Sequence, residues 1–144
     1  MPGPSYVLEK TYAEQDAAGV LAYIAVINYA SDGSGDGKCK LPTAASPVIV
    51  GITQGAQSKQ YENVNVRILG ISRAFAKGTV NAGQLVECYY DSGAPPNENG
   101  FLQAVTPATS GSTPHNIVGI AVTSATDKNM FMVLLTPGAT CVTA

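Results

Sequence analysis

The single histidine, His115, is the residue on which hydrolytic or metal chemistry in this chain would depend. A Ser-His-Asp arrangement needs a histidine as its general base, and no second histidine is available for a metal triad. His115 lies in the segment Ser112-Thr-Pro-His-Asn116, which we predict to be a solvated loop leading into a strand. No G-x-S-x-G elbow is present to hold a serine nucleophile. We therefore expect that the protein is not an enzyme.

The glycine-rich segment Asp32-Gly-Ser-Gly-Asp-Gly37 has the spacing of the start of a calcium loop. In such a loop a bidentate glutamate closes the site at the twelfth position, which is Thr43 here. We predict a flexible hairpin loop without metal. A phosphate-binding G-x-x-x-x-G-K-[ST] segment is absent, and the chain has no tryptophan for a sugar-stacking platform. Tyr89 and Tyr90 are expected to pack within the protein, so the sequence implies no cofactor.

Charge is scarce in this chain of 144 residues, because eight lysines and arginines and ten acidic residues make up only 12% of it. Globular proteins average about 25%. The net charge of −2 and the lack of a basic cluster exclude a conventional nucleic-acid-binding surface. The longest apolar run, Val20 to Ala30, is too short to cross a bilayer, and no signal-peptide pattern is visible. A weakly charged polar surface suits a protein that a partner covers.

The cysteines Cys39, Cys88 and Cys141 are odd in number and show no C-x-x-C spacing. A secreted disulfide framework would need paired cysteines. We expect buried free thiols and synthesis in a reducing cytoplasm.

The distribution of β-branched residues, glycine and proline predicts an all-β fold, either a sandwich or a partly open barrel. Alternating apolar and polar residues over Asn63–Ile71 indicate a half-buried strand. Further strands are expected at Val20–Ala30, Val48–Thr53, Gln84–Tyr90, Phe101–Val105, Asn116–Thr123 and Met130–Thr136.

Residues 1–19 are predicted to form an N-terminal arm, and residues 20–144 a single β domain. Two interpretations of the arm remain open. Thr11 and Glu14 have the spacing of a capping box, which favours a short helix over Tyr12–Ala18. The alternative is an extended arm.

An internal repeat divides the β domain. The motif Ile49-Val-Gly-Ile52 recurs 68 residues later as Ile117-Val-Gly-Ile120, and Gly70 recurs as Gly138 at the same spacing. An apolar strand lies between motif and glycine in both places. The pattern predicts a structural duplication.

The two pseudo-repeated units are expected at about residues 20–70 and 84–138. Two similar β-units packed face to face would each cover the other's apolar side. Glycine within a strand marks a bulge or the close approach of another group. We therefore expect Gly51 and Gly119 to occupy the same place in each unit.

The segment Ile117-Val-Gly-Ile-Ala-Val-Thr-Ser-Ala125, followed by Met132-Val-Leu-Leu-Thr-Pro-Gly138, resembles the capsid decoration (cement) proteins of tailed bacteriophages. The resemblance extends over about residues 20–138 and also includes Gly83–Val86, Gly93–Gly100, Leu41–Ala45, Val50–Gln54 and Val64–Gly70. It implies a protein of the virion, assembled in the host cytoplasm, that binds the capsid exterior. Such proteins bridge major capsid protein subunits of the expanded shell, usually as homotrimers, and neither nucleic acid nor a membrane is an expected partner.

The N-terminal arm is expected to supply part of the contact with the capsid. Its candidate capsid-binding residues are Pro4, Tyr6, Val7, Leu8 and Tyr12, because an extended apolar segment can add a strand to an exposed sheet edge. On this hypothesis a chain without residues 1–19 keeps its β core and binds shells more weakly.

Two other hypotheses belong to different functional classes. A carbohydrate- or host-surface-binding β-module of a virion should have an exposed aromatic or carboxylate-lined groove. An esterase-like or lyase β-domain should lose its activity when His115 is changed.

Overall fold

The computed structural model describes residues 7–29, 37–45, 47–57, 59–106 and 113–142, and for residues 113, 114 and 137–142 the backbone alone. Within these ranges the fold is all-β, as predicted, and no helix is long and apolar enough to cross a membrane. A short 3-10 turn spans Pro96–Glu98. The strands are β1 (Leu8–Glu14), β2 (Ala25–Asn28), β3 (Lys38–Lys40), β4 (Gly51–Thr53), β5 (Asn63–Phe75), β6 (Leu85–Cys88), β7 (Leu102–Ala104), β8 (Thr113–Ala121) and β9 (Met130–Val142).

The first unit is a closed five-stranded barrel, which we call unit 1. Its strand order is β1-β3-β2-β4-β5, and β5 pairs with β1 to close it. Only β1 and β3 run parallel, while the other pairs are antiparallel. The first half of β5, from Asn63 to Leu69, belongs to this barrel. Closure satisfies the backbone groups that an open sheet edge would expose.

The second unit, unit 2, begins on the second half of the same strand. Residues Gly70 to Phe75 of β5 pair with β9, and the order continues β9-β8-β6-β7. Ala76, directly after β5, forms a parallel bridge with Leu102 of β7. This isolated bridge takes the place of the parallel β1–β3 pair of unit 1. Unit 2 is therefore a partly open barrel.

Backbone hydrogen bonds repeat from one unit to the other. The N–H of Tyr23 donates to the carbonyl of Thr53 at 2.8 Å, and that of Gly83 donates to the carbonyl of Ala121 at 2.7 Å. Further contacts correspond in the same way: the bridges Val20–Gln57 and Val80–Ala125, and the bonds from Tyr61 N–H to Glu14 O and from Lys128 N–H to Ala76 O. The predicted pseudo-repeat is thus present in the backbone pairing.

Two clusters of buried side chains fill the units. One lies inside unit 1 and includes Ile24, Val26, Cys39, Val64 and Val66. The other fills unit 2 and includes Val86, Leu102, Phe131 and Val133, together with Ala25, Ile49 and Ile52 of unit 1. Unit 2 therefore packs against the outer side of β2 and β4.

The units do not cover each other mutually, contrary to the expected face-to-face packing. Ala25 and Ile52 of unit 1 are fully buried, whereas the equivalent Leu85 and Ile120 of unit 2 are 40% and 37% exposed. The reason is that both units follow one another along β5. Such a heterologous arrangement joins two different patches and leaves the second unit's copy of the covered patch free.

The N-terminal segment is extended rather than helical from Leu8 to Glu14, which settles the two open interpretations over this range. As β1 it pairs with both β3 and β5, and Tyr12 is buried in the core of unit 1. Deleting residues 1–19 would remove β1 and open the barrel, contrary to the expectation that the β core would survive. The division of the chain at residue 19 stays a prediction.

The expected strand Val20–Ala30 is shorter than predicted, because only Ala25–Asn28 is a strand. Tyr23 adopts a positive φ of 63°, which interrupts the extended backbone with a turn. The equivalent position in unit 2 is Gly83, with φ of 87°, where the missing Cβ removes the steric cost.

The glycines of the repeated motif lie where another strand comes close, as predicted. A Cβ atom on Gly51 would collide with the carbonyl oxygen of Arg67, and one on Gly119 with that of Leu134. Both collisions are with backbone atoms of the neighbouring strand, which a rotamer change cannot relieve.

We expect Gly119→Ala to lower the free energy of unfolding by about 1–3 kcal/mol, the usual cost of overpacking. Urea denaturation monitored by circular dichroism measures this effect. Gly55→Ala is the matched control, because a Cβ atom there meets nothing within 4 Å. Equal stability of the two variants would contradict the close-approach explanation.

Candidate interaction surface

His115 lies on β8 and is largely buried, so the prediction of a solvated loop histidine is wrong. Its Nδ1 is 2.6 Å from Oε2 of Glu87 on β6, and Gln103 of β7 donates to Oε1 of the same carboxylate at 3.1 Å. The imidazole Nε2 is buried, and among the described residues it has no hydrogen-bond partner. A carboxylate-oriented histidine can act as a base only when a nucleophile or substrate reaches Nε2. In the described structure the cluster links β6, β7 and β8.

Glu14 at the end of β1 is a fully buried carboxyl group. Its Oε1 accepts a hydrogen bond of 2.6 Å from the backbone N–H of Asp16, and Sγ of Cys39 lies 3.7 Å from Oε2. Burial, reinforced by the Asp16 carboxylate, raises the pKa of Glu14 to about 7. The backbone position equivalent to Glu14 in unit 2 is Ala76, so the fold itself does not require an acid there.

The raised pKa of Glu14 predicts that the protein loses stability as the pH rises. Between about pH 4.5 and pH 7 the unfolded chain ionises this group while the folded chain keeps its proton, which costs up to about 3 kcal/mol of unfolding free energy. Glu14→Gln should remove this dependence and be more stable than the wild type at pH 8. Urea denaturation across this pH range measures both effects. Glu62→Gln, at a partly exposed position, is the control, and a flat wild-type profile would exclude the mechanism.

Glu98, in the 3-10 turn, holds the loop before β7 in place. Its carboxylate lies 2.7 Å from Nζ of Lys77 and 2.8 Å from Nζ of Lys128. These ammonium groups, Lys128 foremost, lower the pKa of Glu98. Lys77 also lies over the ring of Tyr89, 4.8 Å from its centroid. The cluster fastens a surface loop to the ends of β5 and β9.

No cluster of three metal-ligating side chains occurs among the described residues. The buried thiols of Cys39 and Cys88 are free, as expected, and burial raises the pKa of both. The side chain of Cys141 and residues 32–36 of the predicted hairpin loop lie outside the described part of the chain.

A row of four aliphatic side chains crosses the outer face of unit 2. Leu85 lies directly opposite Ile120, Ile120 opposite Leu134, and Leu134 opposite Ile71. These residues are 37% to 41% exposed. Directly opposed residues of antiparallel strands have Cβ atoms about 5 Å apart, so the row is continuous across β6, β8, β9 and β5.

The equivalent row of unit 1 has a different chemistry. It runs from Ala25 to Ile52, Arg67 and Glu9 in the same register. Unit 2 buries Ala25 and Ile52, and the other two form a salt bridge of 2.6 Å at the surface. Where unit 1 meets water it carries an ion pair, and unit 2 carries Leu134 and Ile71 at those positions.

The neighbouring row repeats the contrast at one of its two positions. In unit 1, Thr11 and Asn65 face each other and share a hydrogen bond of 2.9 Å. Their equivalents in unit 2 are Arg73 and Met132, which also face each other. We define the unit 2 face as the eight residues Ile71, Arg73, Leu85, Ile120, Val122, Met130, Met132 and Leu134, all of them exposed.

One sequence pattern indicates this exposed surface. The first residues of β9, Met130-Phe-Met-Val-Leu-Leu135, are apolar on both faces of the strand. Strands with two apolar faces are normally covered on both sides. Phe131, Val133 and Leu135 are buried in unit 2, and the alternate residues are uncovered.

The predicted capsid-binding residues differ in their exposure to solvent. Pro4 and Tyr6 lie outside the described residues. Val7 and Leu8 are exposed, and Leu8 faces the exposed Leu69 of β5, two residues before Ile71. These side chains extend the apolar surface toward the N-terminus. Tyr12 is only 6% exposed and contributes to this chain's own core.

The fold is similar to that of a solved phage protein, the N base of head fiber gp8.5 in bacteriophage phi29. The TM-score is 0.60 and the sequence identity 13%, and the match covers 91% of this chain and 95% of the other. At this identity the likeness establishes a shared fold. No family model and no curated protein matches the chain.

Proposed function

We propose that this chain is a structural protein of a bacteriophage head, a capsid decoration (cement) protein that binds the outer surface of the shell. In this role it bridges major capsid protein subunits, as a homotrimer, and stabilises the expanded shell. The observation that carries the proposal is the unit 2 face, an uncovered apolar surface on a unit whose twin presents polar groups to water. The likeness to the base of a head fiber supports the choice of a virion as the assembly.

The physical function of such a protein is to resist the outward pressure of packaged DNA. Fully burying a large apolar side chain contributes about 1.5–3 kcal/mol. The seven apolar residues of the unit 2 face are 37% to 47% exposed, so covering the exposed fractions contributes about 4–8 kcal/mol in total. That is close to the cost of immobilising one molecule on another, about 4–15 kcal/mol. A single face therefore binds weakly. Several linked contacts hold far more firmly, because each released contact rebinds at a high effective concentration.

The N-terminal segment supplies the contact with the capsid in this proposal. Val7 and Leu8 are exposed at the start of β1, beside Leu69, and extend the apolar surface of unit 2. Residues Pro4 and Tyr6 precede them in the sequence and complete the proposed arm. Leu8 is the first residue of β1 and Val7 directly precedes it, so the barrel fixes the position of both.

The protein acts by binding and needs no cofactor in this proposal. Three titratable groups of the described residues are engaged in internal contacts: Glu14 with Asp16 and Cys39, His115 with Glu87, and Glu98 with two lysines. Its site of action is the exterior of the virion, after assembly in the host cytoplasm.

A carbohydrate- or host-surface-binding module is the alternative. A surface depression of about 430 Å³ next to the β8–β9 turn is lined by neutral hydroxyl and amide groups, including those of Asn81, Ser124 and Thr126, and by the apolar side chains of Val80, Ala125 and Met130. Some of these groups are engaged internally, since Ser124 accepts from the N–H of Ala82 and Thr126 from the amide of Asn129. No aromatic side chain lines the depression, which leaves a sugar ring no stacking surface.

Cosedimentation with phage shells tests the proposed function. The purified chain should bind expanded shells that lack the protein, and it should bind unexpanded shells much less, because the bridged subunits reach their final spacing only on expansion. Failure to sediment with expanded shells would contradict the proposal.

The same assay tests the proposed arm. Deleting residues 1–7 and changing Leu8→Ser should weaken shell binding by about tenfold or more, because both changes remove apolar contact area. The deletion stops before β1, so the unfolding midpoint should stay close to that of the wild type. Val48→Ser is the matched control, since Val48 is 75% exposed and lies outside the arm and the unit 2 face. Undiminished binding would remove the arm from the mechanism.

A further inference from the structure

We propose that the unit 2 face is the surface through which copies of this chain bind one another. The proposal deepens the proposed function, on which it rests for the expectation that several copies meet at one position of a shell. It assigns the self-association to eight defined residues on β5, β6, β8 and β9 and the turn that follows β8.

The charge distribution of the face favours a second copy as the occupant. Arg73 is the single charged residue of the eight, and its guanidinium already lies over the ring of Tyr23 of the same chain, 5.9 Å from the centroid. A contact between identical faces therefore brings few like charges together. The net charge of the whole chain, −2, adds little repulsion. Central interface regions are depleted in charge in the same way.

The shape of the face also suits contact with an identical sheet. Four neighbouring strands present Leu85, Ile120, Leu134 and Ile71 in one row. Apolar faces of sheets pack against one another with interdigitating side chains. In a homotrimer, three copies of this face would meet around the three-fold axis, each contacting the other two. The flexible side chains of Met130 and Met132 can adapt to the partner at the border of the contact.

The chain itself contains the precedent for such a cover. In unit 1 the equivalent Ala25 and Ile52 are covered by another unit of the same sequence pattern. Where that cover ends, unit 1 carries the ion pair of Arg67 and Glu9, and unit 2 carries Leu134 instead of the arginine. The second unit thus lacks the polar groups that allow the first unit to face water.

The test installs the ion pair of unit 1 in unit 2. Ile71→Glu combined with Leu134→Arg places opposite charges on directly opposed residues, as Glu9 and Arg67 are in unit 1. Light scattering after size exclusion should show an oligomer for the wild type and a monomer for this variant. Sedimentation equilibrium should show a dissociation constant weakened by about 100-fold or more.

The control introduces the same two charges in unit 1, in the row next to the pair of Glu9 and Arg67. Thr11→Glu with Asn65→Arg also joins directly opposed exposed residues, and it should leave the oligomer unchanged. A second variant, Ile120→Thr with Leu134→Thr, keeps β-forming residues and should also be monomeric, which guards against misfolding of the charged variant. Circular dichroism confirms that each variant keeps its β-sheet content.

Three outcomes would overturn the inference. They are a wild type that is monomeric at all concentrations, variants that remain oligomeric, and a control that dissociates as readily as the variants. A monomeric wild type that still binds expanded shells, with binding lost in both face variants, would assign the face to the capsid. The proposed function would survive that result and the inference would not. A wild type that is oligomeric but does not bind expanded shells would contradict the proposed function and leave this inference standing.

Discussion

The structure depends on one shared strand. β5 supplies its first half to a closed barrel and its second half to the next barrel, so two equivalent units follow each other in the same direction. A two-fold arrangement would have allowed each unit to cover the same patch on the other. The heterologous arrangement covers the outer row of unit 1 and leaves the outer row of unit 2 open. The position of the exposed apolar surface follows from this asymmetry.

The comparison between the units separates fold from function. Residues that the barrel needs recur in both units, as the glycines at 51 and 119 and the left-handed turns at Tyr23 and Gly83 show. Residues on the outer faces diverge: Glu9, Asn65 and Arg67 of unit 1 correspond to Ile71, Met132 and Leu134 of unit 2. Since both faces have the same backbone geometry, the barrel does not explain the difference. A partner that covers unit 2, as we propose, would explain it.

The buried titratable groups are explained by local packing. Glu14 sits where the backbone turns from β1 toward Asp16, and its carboxyl oxygen satisfies a backbone N–H that would otherwise be unpaired. The cluster of His115, Glu87 and Gln103 joins three strands of the open barrel, and Glu98 fixes the loop before β7 with two lysines. Polar groups inside small barrels must find such partners, because an unpaired buried group is costly. These clusters are consistent with a structural function.

The sequence by itself determined the all-β class, the duplication and the close approach at Gly51 and Gly119, because β-branched content and a repeated strand motif are local signals. It also determined that charge is scarce. Only the tertiary structure decided that Leu8–Glu14 closes a barrel, that His115 is buried against Glu87, and that the two units are not mutual covers. Each of these depends on which distant strands pair, and pairing is set by the whole sheet. Likewise, the apolar character of both faces of β9 is written in the sequence, but which face stays uncovered follows from the direction in which β5 joins the two units.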